Sequence, residues 1–401
     1  MLEKMTVHKK VCFWILLITL TALMCMVSAE VLLRIFSIST TYYGYSPSYP
    51  YVYDPFVAKR HRPNSQFNFR TKEFEIQFVT NSEGFRASND FLTGDDRNRV
   101  IAIIGDSFVQ AIQVDESATF VKLLETQMRD LGINQVQNYG VAGLGIVHYL
   151  QMYKFHVRKH NPEIVFIFIL DANDITNSSP LLEPPLLRPS YIYDGKGEIL
   201  DVDLFADNPI YWSPEDETTH KPFMFTLRYF LGSHSALYRF ASFLKVTSRM
   251  QEKIINPFPV EAYVYEEPWS DEFEQAWKHA TWALENLVQE IKKDSASPWV
   301  VLIPAMWTTS DKYWQLFQER YPGTGYLDKN KVRNKLHEFT AKKEVDFIDL
   351  THRFLLSYSI GEQPHFPVNG HLTALGHKLV AEEIYDRLIR DVWVNNKYLL
   401  N

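Results

Sequence analysis

The stretch RVIAIIGDSFVQAIQ, Arg99 to Gln113, decides the fold. Val100 to Ile104 is an unbroken apolar run, which predicts a strand buried on both faces. The run stops at Gly105, and an acid and a hydroxyl, Asp106 and Ser107, follow at once. After a short loop comes a helical pattern, with Phe120, Leu123, Leu124, Met128 and Leu131. A serine at the carboxyl end of a buried parallel strand sits where open α/β sheets place their ligands. Its hydroxyl can also meet backbone N–H groups at the start of the next helix. Taken alone, Gly105-Asp106-Ser107 is better described as a strand-end turn with a capping serine.

Outward from this stretch, strand and helix patterns alternate. Asn134 to Tyr139 reads as a second strand, followed by the glycine-rich loop Gly140 to Gly145 and a helix from Ile146 to His160. Ile164 to Leu170 reads as a third, fully buried strand. A helical stripe from Asp271 to Lys293 carries Phe273, Ala276, Ala280, Leu284, Leu287 and Ile291 on one face. Pro298 to Pro304 and Val345 to Leu350 read as the fourth and fifth strands. Helices are expected at Asn330 to Lys343 and Leu375 to Val392. Such alternation predicts a three-layer α/β/α sandwich around a central parallel five-stranded sheet.

Residues 96–176 and 268–395 would form that body. Residues 177–267 interrupt it with many prolines, a hairpin signal at Tyr193 to Ile199 and a helical stretch near Ser233 to Val246, and read as an insertion or cap. Its aromatic residues, Tyr191, Tyr193, Tyr211 and Trp212 among them, suit either a ligand-stacking wall or the insertion's own core. Residues 36–95 form a preamble: a Tyr-, Ser- and Pro-rich stalk from Thr40 to Pro55, an alternating hairpin pattern from Phe67 to Val79, and a turn at Asn81 to Arg86.

Residues 1–35 hold the anchor. Lys4, Lys9 and Lys10 precede an uncharged run from Val11 to Ala29, about long enough to cross a bilayer as a helix. Positive residues before the run place the N-terminus in the cytoplasm and the rest of the chain on the far side, the bacterial periplasm. A cleaved signal peptide is the rival, since Val27-Ser28-Ala29 resembles a cleavage site, although such peptides have apolar cores of about 7–15 residues. The only two cysteines, Cys12 and Cys25, lie inside this segment. The remaining chain therefore has no thiol nucleophile and no disulfide. A net charge of -7 over 401 residues argues against nucleic acid as a partner. No Walker-type phosphate loop and no zinc-spaced Cys/His cluster occurs.

Four loops carry the candidate chemistry. They are Gly105-Asp106-Ser107; Asn138 to Gly143; Asp171-Ala172-Asn173-Asp174; and Asn369 to His377. The first three follow strands directly, and the fourth lies between strand five and the last helix. In a parallel sheet these ends open on one face. Together they offer a hydroxyl, a close-approach glycine N–H, a side-chain amide and an imidazole. That set contains a nucleophile, oxyanion donors and a general base.

With these four blocks in this order, the chain resembles the SGNH hydrolases, also called the GDSL lipase/esterase family. The resemblance covers roughly Arg99 to Asp174 and Pro298 to Val392 and implies a flavodoxin-like α/β/α fold. Asp54-Pro55 and Asn81 to Arg86 more weakly resemble the preamble of membrane-anchored, extracytoplasmic members. By the resemblance, Ser107 is the nucleophile and His371 the base. The N–H groups of Ser107 and Gly143 and the side chain of Asn173 form the oxyanion hole. No metal or organic cofactor is implied. Asp106 and Asp174 fix their turns, and His377, His365 and His148 are structural. Asn177-Ser178-Ser179 matches a glycosylation acceptor pattern as a chance match.

One departure stands out. The family places an Asp two or three residues before the histidine, where this chain has Asn369 and Val368. An amide can orient an imidazole but cannot neutralise an imidazolium. Either Asn369 orients the ring, or another carboxylate, with Asp349 the nearest candidate, substitutes, or the site is weak. The implied activity is hydrolysis of an ester-linked acyl group on a cell-envelope glycan or lipid. Acyl transfer to an envelope polysaccharide, or a non-catalytic glycan-binding role, are the alternatives.

Overall fold

Strands form along the expected apolar runs: β1 (Arg99–Gly105), β2 (Ile133–Gly140), β3 (Ile164–Leu170), β4 (Ser297–Ile303) and β5 (Asp346–Asp349). The computed structural model describes residues 6–35, 51–95, 97–182, 189–203, 235–238, 240–241, 260–321 and 325–395. The five strands pair in the order β5-β4-β3-β1-β2. All their pairings are parallel.

Period-2 alternation sends neighbouring side chains of each strand into different cores. Ile101 and Ile103 of β1 pack with Phe120, Leu124, Phe354, Val380 and Ile384. Ala102 and Ile104 pack with Leu150, Ala280, Leu287 and Leu336 on the other side. Helices Phe120–Met128 and Ala374–Asn395 therefore cover one face, and Ile146–Met152, Asp271–Lys293 and Lys331–Lys343 the other. All seven residues of β3 are buried. Each aliphatic or aromatic side chain so buried contributes about 1.5–3 kcal/mol, and the β-branched residues of these short runs favour the strand. The strand order reverses between β1 and β3, a topological switch point of the flavodoxin type.

The structure also departs from the sequence expectations. The helix expected over Ile146 to His160 is α-helical only to Met152; a π turn, Tyr153–Val157, and a 3-10 turn, Arg158–His160, complete it. Helices Asp311–Arg320 and Thr351–Ser359 were not anticipated. Part of the expected stalk, Tyr51–Asp54, is a strand paired with Ala58–His61. Tyr191–Tyr193 and Ile199–Val202 form the expected hairpin. Tyr191 stacks on His279 of the Asp271–Lys293 helix at 4.4 Å between ring centres. Tyr211, Trp212 and most of the helix expected near Ser233 to Val246 lie outside the described residues.

Two compact units are present. Met1–Tyr49 and Pro214–Pro257 make one, and Pro50–Ser213 and Phe258–Asn401 the other. In the first, helix Val7–Ile35 is long and apolar enough to cross a membrane. Near its end, the Glu30 carboxylate accepts hydrogen bonds from Ser235 Oγ and from the N–H groups of Ala236 and Leu237.

In the second unit the preamble is tied to the sheet by Arg86. The turn before it is shaped by Asn81, whose Oδ1 accepts the N–H groups of Glu83 and Phe85. Gly84 takes φ +79 there, and a Cβ would collide with the His61 carbonyl. The turn drives Arg86 inward, where it is 2% exposed. Its guanidinium donates to the carbonyls of Gln110, Ala111 and Val114, just beyond the Ser107 turn. Burial lowers its pKa to about 10, still cationic at neutral pH. Arg86→Met keeps much of the volume but leaves three carbonyls without their donor. We expect a loss of about 3 kcal/mol or more, read as a lower unfolding midpoint.

Candidate active site

Asp106 opens the short helix Ser107–Gln110 by accepting the Phe108 N–H at 2.9 Å. This cap sets Ser107 at the carboxyl end of β1, with its side chain half-exposed. From the far end of the chain, His371 Nε2 lies 2.8 Å from Ser107 Oγ. The His371 ring stacks on Phe108 at 4.7 Å. Ser107 Oγ lies 3.3 Å from Asp106 Oδ2. The shorter contact takes the hydroxyl proton to Nε2 when the imidazole is neutral.

The other ring nitrogen, Nδ1, lies 3.3 Å from the backbone carbonyl of Asn369. Orientation by the Asn369 side-chain amide, one of the sequence expectations, is not what the structure contains: its Oδ1 is buried without a partner. The main chain performs the contact because the loop folds back on itself. Phe366 N–H donates to the His371 carbonyl and Gly370 N–H to the Phe366 carbonyl, each at 2.8 Å. Gly370, at φ +79, supplies the left-handed turn this needs. The other substitute, Asp349, is engaged elsewhere: its carboxylate pairs with Arg333 and accepts the Thr351 N–H.

The glycine loop is sewn to the serine turn. Val141 N–H donates to the Gly105 carbonyl, and Asn138 Nδ2 to the Val109 carbonyl. A side chain at Gly140 would overlap the backbone of Val109 and Gln110. Gln110, buried, accepts the Ala142 N–H through Oε1 and bonds Tyr51 and His61 through Nε2. Gly143 itself takes φ +72 and is half-exposed. Asn173 Nδ2 donates to Asn177 Oδ1 at 2.6 Å. Asn177 is 7% exposed, which suits this contact and not a glycan acceptor.

Three acids of these loops are buried. Burial raises Asp106 to about 6, with the Phe108 N–H and the Ser107 bonds acting against it. Burial also raises Asp171 to about 7; it accepts the Ala305 N–H and the Thr308 hydroxyl. Asp174 is raised by burial and by the charge of Asp106, and takes the Leu170 N–H and the Tyr149 hydroxyl. These bonds fix turns. His148, His365 and His377 are each almost wholly buried. Among the described residues no group of three or more His, Cys, Asp or Glu side chains is placed to hold a metal ion.

Residue-type reasoning overlooked Arg86, Gln110 and Glu73. Glu73 accepts the N–H groups of Val368 and Asn369. The signal for Arg86 was available in its turn Asn81 to Arg86; Gln110 and Glu73 carry none in the sequence.

Desolvation sets the electrostatics of His371. Burial lowers His371 to about 4, against which the Asn369 carbonyl acts weakly. An imidazole with that value is neutral, and so able to accept the serine proton, at all pH above about 4. As pH falls through that value, Nε2 binds a proton and the acceptor is lost. The acid limb of Ser107 acylation by an organophosphonate is therefore expected near pH 4. A limb near the ordinary histidine value of about 6.5 would show a solvated ring.

No family model matches the chain, and no curated protein matches it in sequence. Solved structures similar to it include a catalytic mutant of Axe2, an acetylxylan esterase from Geobacillus stearothermophilus, at 13% identity and TM-score 0.38, over 74% of this chain and 95% of that one. TesA is similar at 14% identity and TM-score 0.31, over 75% and 100%. A putative lipolytic protein of the G-D-S-L family from Desulfitobacterium hafniense DCB-2 is similar at 11% identity and TM-score 0.36, over 72% and 99%. At these identities and scores the fold class stands on the strand order of this chain, and the candidate site on its own distances.

Proposed function

We propose that the chain is a serine esterase of SGNH type that cleaves an ester-linked acyl group through Ser107 and His371. The observation that carries this is the 2.8 Å contact between Ser107 Oγ and a desolvated His371 Nε2 at the switch point of a parallel sheet. Nucleophile and base within hydrogen-bond reach, with the base oriented by a third group, is the pattern of an activated serine.

In the proposed mechanism Nε2 takes the Ser107 proton as Oγ attacks the ester carbonyl carbon. Charge collects on the carbonyl oxygen. The N–H groups of Ser107 and Gly143 and the amide of Asn173 are the donors assigned to it. The resting contact of Asn173 with Asn177 holds its side chain before substrate arrives. The protonated ring returns its proton to the leaving alcohol. An acyl-serine remains, and water activated by the same nitrogen releases it. While cationic, the ring donates from Nδ1 to the Asn369 carbonyl. A carbonyl dipole stabilises that cation less than a carboxylate does, so modest turnover is expected.

The substrate we infer is an ester on a cell-envelope glycan or lipid. The chain would be held in the membrane by Val7–Ile35 with its N-terminus cytoplasmic and its larger unit outside. If a sugar hydroxyl displaces water in the second step, the same residues perform acyl transfer. A lapsed, non-catalytic site is favoured by one observation, the absence of any carboxylate partner for His371 Nδ1 among the described contacts.

Two variants test the chemistry. Ser107→Ala is expected to abolish organophosphonate labelling and to lower hydrolysis of a small acyl ester by at least about 10³-fold. Unchanged turnover would sink the assignment. Full-length protein should also resist extraction from membranes by alkaline carbonate, and release into the supernatant would remove the anchor from this account.

A further inference from the structure

The histidine loop is braced from outside by the preamble hairpin. Strands Gln66–Arg70 and Glu75–Val79 pair antiparallel, with Arg70 opposite Glu75. The turn between them is closed by its own bonds: Thr71 N–H donates to the Phe74 carbonyl, and Thr71 Oγ1 accepts the N–H groups of Glu73 and Phe74. From this turn, Glu73 Oε1 accepts the Val368 N–H at 3.0 Å and Oε2 the Asn369 N–H at 2.8 Å. Phe74 meets Phe366 at 5.6 Å between ring centres. The base of the loop has its own bonds, Thr373 to Pro364 and to Gln363. Within the tip, Gly370 N–H donates to the Phe366 carbonyl and Phe366 N–H to the His371 carbonyl, but the N–H groups of Val368 and Asn369 are taken by Glu73, and Val368 is 87% exposed. The hairpin is rooted in the interior through Phe78, which is fully buried against His61 and the Arg86 guanidinium.

We propose that Glu73 is a positioning residue for His371: by holding two successive N–H groups at the loop tip, its carboxylate sets the Asn369 carbonyl against Nδ1 and so presents Nε2 to Ser107. This rests on the esterase reading of the site. It also explains how the loop functions with Asn369 where an acid is expected. The acid is supplied by a distant segment and acts on the backbone carrying the carbonyl, not on the ring. Two carboxylate oxygens match two N–H donors. Glutamine cannot replace them, because its amide sets a donor opposite one N–H.

The experiment is a double-variant cycle on the full chain in detergent, with a small acyl ester as substrate. Glu73→Gln is expected to lower kcat roughly tenfold to a hundredfold, with KM within about twofold and the unfolding midpoint little changed. In a His371→Ala background, where no ring remains to be positioned, Glu73→Gln is expected to cost nothing further. An unchanged kcat in the single variant overturns the proposal. So does an equal loss in both backgrounds, which marks a general structural role. Should Glu73→Gln fail to fold, Glu73→Asp, which keeps the charge on an arm one methylene shorter, carries the same comparison. Organophosphonate labelling of the unsubstituted chain separates the two levels. Labelling that proceeds equally fast in wild type and Glu73→Gln overturns the role of Glu73 alone. A wild-type chain that neither labels nor hydrolyses overturns the esterase reading and this inference with it.

Discussion

A hydroxyl and an imidazole 264 residues apart in the chain meet at 2.8 Å, and the surrounding structure serves that distance. The serine is fixed from below by β1 and by the Asp106 cap. The histidine has no strand beneath it. It sits on a loop whose position comes from its own backbone bonds and from Glu73. The two halves of the contact therefore differ in stiffness. The serine inherits the rigidity of a sheet buried on both faces. The histidine depends on a few hydrogen bonds near the surface, each worth about a kcal/mol or a little more.

Desolvation acts on both partners. It keeps His371 neutral well below the ordinary histidine range and raises Asp106 toward neutrality. A neutral base is ready to accept a proton but gains little from holding one. The usual remedy is a carboxylate on Nδ1. Here the partner is a peptide carbonyl. In the proposed mechanism this arrangement would favour the first proton transfer and penalise the charged ring that follows.

The fold was legible because its information is local. Val100 to Ile104 and Ile164 to Leu170 are apolar throughout, and their shortness, β-branched content and polar flanks suit a strand covered on both faces. The stripe from Phe273 to Ile291 specified its helix in the same way. Ser107 and His371 were legible as residue types in ordered blocks, and the structure brings them together. The π turn at Tyr153–Val157 was not legible, because its hydrophobic period differs by a single residue from that of a continuous helix. Glu73 was illegible for another reason. It is one of 48 acidic residues and sits in a polar turn, and its partners are N–H groups 295 and 296 positions away. The Asn369 contact is made by a backbone carbonyl, which no side-chain identity announces. The substitution of Asn for the expected acid was visible, but the structural answer to it was not.

The same separation along the chain gives the site a history. Ser107 and its cap precede β3, whereas His371 follows β5. β4 and β5, which complete the sheet, also come late in the chain. One face of β1 is covered by helix Ala374–Asn395, which follows the loop carrying His371, and the other by Asp271–Lys293 and Lys331–Lys343. The strands flanking Ser107 therefore finish burying their faces only when these distant segments dock. The contact between Ser107 and His371 is non-local, so it carries the loop-closure entropy of the chain between them, and folds dominated by such pairings form slowly.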